Sequence, residues 1–117
     1  MTGVIAVVAT CSIAVAGLGS VYAARAQAVA AADGAALAAA VATYPPAAEA
    51  PPIGSARAVA DLNGARLVEC VCPVDAGPAV RTVTVVVAVR TEVPVFGVLT
   101  VRASSRAEFD PMRWLGR

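Results

Sequence analysis

Met1 to Ala24 reads MTGVIAVVATCSIAVAGLGSVYAA, and Arg25 to Ala42 continues RAQAVAAADGAALAAAVA. The first run holds no charged side chain but includes Val4, Ile5, Val7, Val8, Ile13, Val15, Leu18 and Val21. As a helix it would rise about 36 Å, against a hydrocarbon layer of about 30 Å, so it is expected to span a membrane. A cleavable secretory signal is the rival reading, because Ala26-Gln27-Ala28 or Ala28-Val29-Ala30 would satisfy the small-x-small cleavage rule. Such signals carry a basic start, whereas here only the terminal amine is positive, and an uncleaved anchor is the favoured expectation.

Arg25 does not end the helical pattern. Ala26 to Ala42 lacks proline and is dominated by alanine, the strongest helix former, so the anchor is expected to continue into water. At helical spacing Arg25, Val29, Asp33, Leu37, Val41 and Tyr44 share one broad face, with Gln27, Gly34 and Ala38 opposite. The larger groups lie on that first face, which is read as the packed one. A carboxylate there needs a partner, so Asp33 is either solvated at the stripe's edge or paired with an arginine of the head or of a neighbouring subunit. Arg25 cannot serve within the same helix, being about 12 Å away along the axis.

Tyr44-Pro45-Pro46 stops the helix, since each proline lacks a donor and turns its predecessor away from helical angles. With Pro51 and Pro52 it forms a stiff linker. A short helix should follow, with Ser55 as N-cap, Ala56, Val59, Ala60 and Leu62 on its apolar side, and Asn63-Gly64 as its stop. Beyond Gly64 the period changes to that of strands. Ala65 to Val71 alternates loosely, and Pro73, Asp75, Gly77 and Pro78 mark a loop. Thr82 to Arg90 puts Val83, Val85, Val87 and Val89 on one side, which should be buried. Glu92 to Gly97 reads as a connection or edge segment. Leu99, Val101 and Ala103, alternating with Thr100, Arg102, Ser104 and Arg106, give a third strand.

The expected fold class is therefore α+β: a long N-terminal transmembrane helix, a short second helix and a three-stranded antiparallel sheet covered by the second half of the long helix. Its divisions are a transmembrane helix over 1–24, an extramembrane continuation over 25–44, a proline-rich linker over 45–54, a small head over 55–109 and a tail over 110–117 for which no element is predicted.

Composition narrows the function classes. The 117 residues are 59% hydrophobic and only 15% charged, too apolar for an ordinary soluble domain. Alanine (29) and valine (21) dominate while aromatics make up 4%, which excludes a thick aromatic core. Nine arginines against eight acids leave a net charge of +1, without the basic excess that nucleic-acid binding draws on. The absence of histidine removes the commonest general base and metal ligand, the carboxylates are scattered, and no phosphate loop or nucleophile elbow appears. Neither an enzyme nor a cofactor is expected.

Two groups of residues stand out. Ala16 and Ser20, and Gly19 and Ala23, are spaced four apart, which lets another helix approach closely in lipid, although alanine-rich composition produces such spacings by itself. On a strand Cys70 and Cys72 would share a face. They read as unremarkable thiols, as a disulfide within or between subunits, or as a redox or metal pair. The metal reading lacks four N or S ligands, because Cys11 lies in the apolar run, where it reads as a small packing residue rather than a lipidation site.

Arg25-Ala26-Gln27, Ala31-Ala32-Asp33 and Ala35-Ala36-Leu37-Ala38-Ala39-Ala40 together resemble the signature of TadE/TadG-like pseudopilins, small anchored proteins of the tight-adherence (Flp pilus) machinery. The chain looks closest to the actinobacterial TadE-like proteins of the helicase/secretion neighbourhood, whose downstream plan is similar to Val59-Ala60, Asn63-Gly64-Ala65, Cys70, the strand Val83 to Val89 and Val101-Arg102-Ala103. The resemblance implies a single-pass, pilin-like anchor in the cell membrane with its head on the extracytoplasmic side. It implies a minor pilin or pseudopilin acting in pilus assembly or secretion, with the membrane, other pilin-like or secretion-platform proteins and further copies of itself as partners. Arg25 or Asp33 would then set axial register. Counted by the positive-inside rule alone, Arg25 would favour the opposite orientation. The competing class is a secreted small binding module released after signal-peptide cleavage.

Overall fold

In the computed structural model, residues Thr2–Gly116 are described. The chain is α+β: helix α1 (Thr2–Ala42), a 3-10 turn (Pro45–Ala47), helix α2 (Pro52–Leu62), strands β1 (Arg66–Val71), β2 (Arg81–Val93) and β3 (Gly97–Phe109), and a short helix α3 (Pro111–Leu115). The strands form an antiparallel sheet in the order β1-β2-β3, packed against α1.

The valine alternation of β2 buries Val83, Val85, Val87 and Val89. Register places Ala107, Ser105, Ala103 and Val101 of β3 beside them. Against this inner face and against α2, α1 presents alanine: Ala24, Ala28, Ala31, Ala32, Ala35, Ala36, Ala39 and Ala40 are all buried. The face expected to pack is the free one, since Arg25, Val29, Asp33, Leu37 and Val41 are exposed and only Tyr44 of that set is buried. The reason is steric. A helix lying flat on a sheet touches it along a narrow seam, and methyl groups let the two backbones come close where Leu or Val would hold them apart.

α2 packs on the flank of α1 that carries Gly34, where an added Cβ would meet Val59 Cγ1 at 3.0 Å. The end of α2 is a Schellman closure, in which Gly64 N–H donates to Asp61 O (3.0 Å) and Ala65 N–H to Ala60 O (2.9 Å), with Gly64 at φ 70°. Its start lies inside the segment read as linker. Pro52 occupies the first helical position, where its fixed φ suits the helix and its missing donor costs nothing, and Ser55 N–H already donates to Pro51 O (3.0 Å). Ser55 is therefore not the N-cap.

The loose alternation of β1 has a simple origin. A bulge between Leu67 and Glu69 shifts the register, so Leu67 and Cys70 both turn to the covered side, opposite Val87 and Val85. β2 and β3 run further than the alternation suggested. Glu92 pairs with Val98 and Val93 with Gly97, leaving Pro94–Phe96 as the turn. The tail also has structure, because Asp110 caps α3 by accepting a hydrogen bond from Met112 N–H (3.1 Å). Trp114 meets the ring of Tyr44 edge-on at 6.1 Å, and Phe109 lies at 6.1 Å from the same ring.

Arg81, buried at the start of β2, holds the loop between β1 and β2 to the end of α1. Its Nη1 donates to Thr43 O (3.0 Å) and to Asp75 O, its Nη2 to Gly77 O (2.6 Å) and Ala79 O (2.9 Å), and its guanidinium lies 5.9 Å from the Tyr44 ring centroid. A cation at this point also complements the negative end of the α1 dipole.

The seam and the free face respond oppositely to substitution. Ala35→Leu should overpack the seam and cost about 1–3 kcal/mol, while Leu37→Ala should stay within about 0.5 kcal/mol. Urea unfolding of the detergent-solubilised chain, followed by circular dichroism, measures both. Equal losses would contradict the assignment of faces.

Candidate functional site

α1 has two surroundings. From Ala24 onward one side lies beneath the head, whereas most of the apolar turns before it are uncovered, and the helix is long and apolar enough to cross a bilayer. Leu18 is 73% and Tyr22 80% exposed, a cost in water that lipid would remove.

The residues singled out for helix packing lie in this region. Ala16, Gly19 and Ala23 are exposed, and an added Cβ on Gly19 would have no heavy atom within 4 Å. Ser20 is partly covered, and its hydroxyl donates to Ala16 O (3.0 Å). Gly19 and Ala23 continue upward through Ala26, Ala30, Asp33 and Leu37, all exposed. Spacings alternating between three and four put these six on one exposed stripe, which touches the sheet only at Asp33, beside Ser105 of β3.

Arg25 and Asp33 both reach β3, and they do so separately. Arg25 Nη1 donates to Arg102 O (3.2 Å). Asp33 Oδ1 accepts a hydrogen bond from Ser105 Oγ (2.6 Å), so its partner within the chain is a hydroxyl and not an arginine. Because Asp33 remains exposed, its carboxylate can still accept from a second molecule. A third polar tie, unforeseen from the sequence, is Gln27 Nε2 donating to Asn63 O (2.9 Å) at the end of α2. The placement of Gln27 opposite the large groups was the available signal. The only sequence mark of Arg81 is its position between a proline- and glycine-rich loop and the valine strand.

Cys70 and Cys72 are joined in a disulfide, Cα–Cα 5.5 Å, partly buried at the margin of the core. Cys11 is a free, exposed thiol in the apolar run. Among the described residues no group of three or more His, Cys, Asp or Glu gathers as a metal site. Comparison with protein-family models, curated proteins and solved structures found no match.

The Asp33–Ser105 contact is measurable by a double-mutant cycle. Asp33→Ala and Ser105→Ala should couple by about 1 kcal/mol in urea unfolding, the net value of one partly solvated, charge-assisted hydrogen bond. Strict additivity would mean that the contact contributes nothing.

Proposed function

We propose that the protein is a membrane-anchored, non-enzymatic TadE-like minor pilin or pseudopilin. It acts in Flp (tight-adherence) pilus assembly or secretion, with its head on the extracytoplasmic side. The observation that carries the anchored reading is that α1 serves both as the apolar segment and as the strut of the head. Cleavage after Ala28 or Ala30 would cut the helix inside the packed region. It would remove the buried Ala24 and Ala28, the Arg25–Arg102 contact and the Gln27–Asn63 contact. A signal peptide is discarded without loss to the mature fold, and this segment could not be. That weighs against the secreted-module alternative.

The disulfide supports an oxidising compartment for the head. The free face of α1, from Gly19 and Ala23 through Ala26 and Ala30 to Asp33 and Leu37, is suited to close packing against other pilin-like helices or a second copy. Withdrawing the apolar turns from lipid forfeits their burial, which neighbouring helices must then supply. Asp33 would set the axial register of that packing, since the acceptor positions that Ser105 leaves open are costly to bury between helices without a partner.

Two measurements test this reading. Intact mass of the protein purified from cell membranes should retain the segment through Ala30, and a species lacking it would refute the anchor. Crosslinking in membranes should recover a pilin-like partner or a second copy, with Asp33→Ala reducing the yield several-fold. Unchanged yield would eliminate the register role.

A further inference from the structure

The turn between β2 and β3 departs from ordinary turn chemistry. Val93-Pro94-Val95-Phe96-Gly97-Val98-Leu99 contains no charge, although an exposed turn is normally rich in polar residues. Val95 is 83% and Phe96 78% exposed, and Val98 and Leu99 are exposed too, while Val93 turns inward and is buried. Val95 also holds φ 76°, a left-handed position that favours Gly or Asn and that a β-branched residue adopts only at a cost. In water the Val95 side chain offers nothing against that strain.

The position of this tip along α1 explains the choice of residues. An added Cβ on Gly17 would meet Val93 Cγ1 at 3.4 Å, so the hairpin descends past Arg25 to the level of Gly17, within the apolar run. Arg25 is itself held at the level of Arg102. Arg102 pairs with Ala88 and Arg90 with Thr100, so all three arginines lie on the head side of the tip.

Side-chain exposure decides where lipid begins. With the boundary at Arg25, Leu18 and Tyr22 lie in the hydrocarbon layer. With the boundary low enough to keep the tip in water, near Gly17, Leu18 at 73% and Tyr22 at 80% exposure would stay in water.

We propose that the β2–β3 tip, Val93–Leu99, is a second membrane contact, seated beside α1 in the leaflet on the head side. This rests on the reading of α1 as a membrane-spanning anchor. Val95, Phe96, Val98 and Leu99 enter the headgroup–acyl boundary, where Val95 gains the apolar surroundings that its strained turn lacks in water. Arg25, Arg90 and Arg102 stay at the headgroups. Insertion is shallow for two reasons. Glu92 faces outward next to Val93, and a hairpin with open edges cannot leave its backbone groups unpaired in hydrocarbon. Val93 lies level with Gly17, about 12 Å of helix rise below Arg25, so the tip reaches the base of the interfacial zone and no deeper. The head is thus fastened to the bilayer at two points and cannot swivel freely about the helix.

Depth-dependent quenching tests the contact on the full-length protein reconstituted in phosphatidylcholine–phosphatidylglycerol vesicles containing lipids brominated high on the acyl chain. Trp114 is the chain's single tryptophan and sits at the far end of the head, so the unsubstituted protein reports a site away from lipid. In a Trp114→Phe background, Phe96→Trp should give blue-shifted emission quenched several-fold more strongly than that of Trp114. Leu18→Trp in the same background reports the anchor. Weak quenching from Phe96→Trp with strong quenching from Leu18→Trp would overturn the hairpin contact alone. Weak quenching from both would overturn the anchor and the contact together. Phe96 is exposed, so the larger ring meets no core, and far-UV circular dichroism of each variant should match that of the parent.

Discussion

The close approach of an alanine-faced helix to a valine sheet is the contact on which the rest of this structure depends. Each buried alanine contributes one methyl, worth about 0.8 kcal/mol, so the seam holds by its length rather than by any large side chain. That length is available because the elements match. From Gly17 to Ala42 the helix rises about 38 Å, and the strands of the β2–β3 hairpin extend about 40 Å beside it. The head is therefore laid along the helix, with Val93 beside Gly17 at one end and Phe109 beside Tyr44 at the other. In place of a large apolar core, the far end is closed by the aromatic group of Tyr44, Phe109 and Trp114 and by the guanidinium of Arg81.

The chemistry of the contacts changes along the seam. Arg25 with Arg102, Gln27 with Asn63, Asp33 with Ser105 and Arg81 with Thr43 all involve side-chain hydrogen bonds, and all lie at Arg25 or above. Below Arg25 the contact between Gly17 and Val93 is apolar on both sides. Polar ties that exchange readily with water suit the first region, and packing that needs no polar partner suits a helix entering lipid. Both the anchoring proposal and the hairpin proposal draw on this change at Arg25. The free face of α1 crosses the same level without interruption, so a helical partner bound in the bilayer could stay in register with the part outside it.

The length of α1, the change from helical to strand period after Gly64, the stop at Asn63-Gly64 and the buried side of β2 were all legible in the residues, because each follows from local periodicity or backbone chemistry. The buried face of α1 was not. Hydrophobic patterning ranks faces by the size of their apolar groups and so selected Val29, Leu37 and Val41, whereas the sheet required the smallest groups available. The bulge in β1 likewise disguised its inward residues, since Leu67 and Cys70 fall on opposite sides of an unbroken alternation.

What the sequence determined by itself is the order of long helix, short helix and three strands, and the presence of a long apolar helix, since alanine propensity, proline stops and valine alternation act within a few residues. Only the tertiary structure decided which side of that helix is covered, how far the hairpin descends along it and which carbonyls Arg81 collects. Those outcomes depend on the distance between backbones brought together from remote parts of the chain, and the close fit of small side chains across the seam sets that distance.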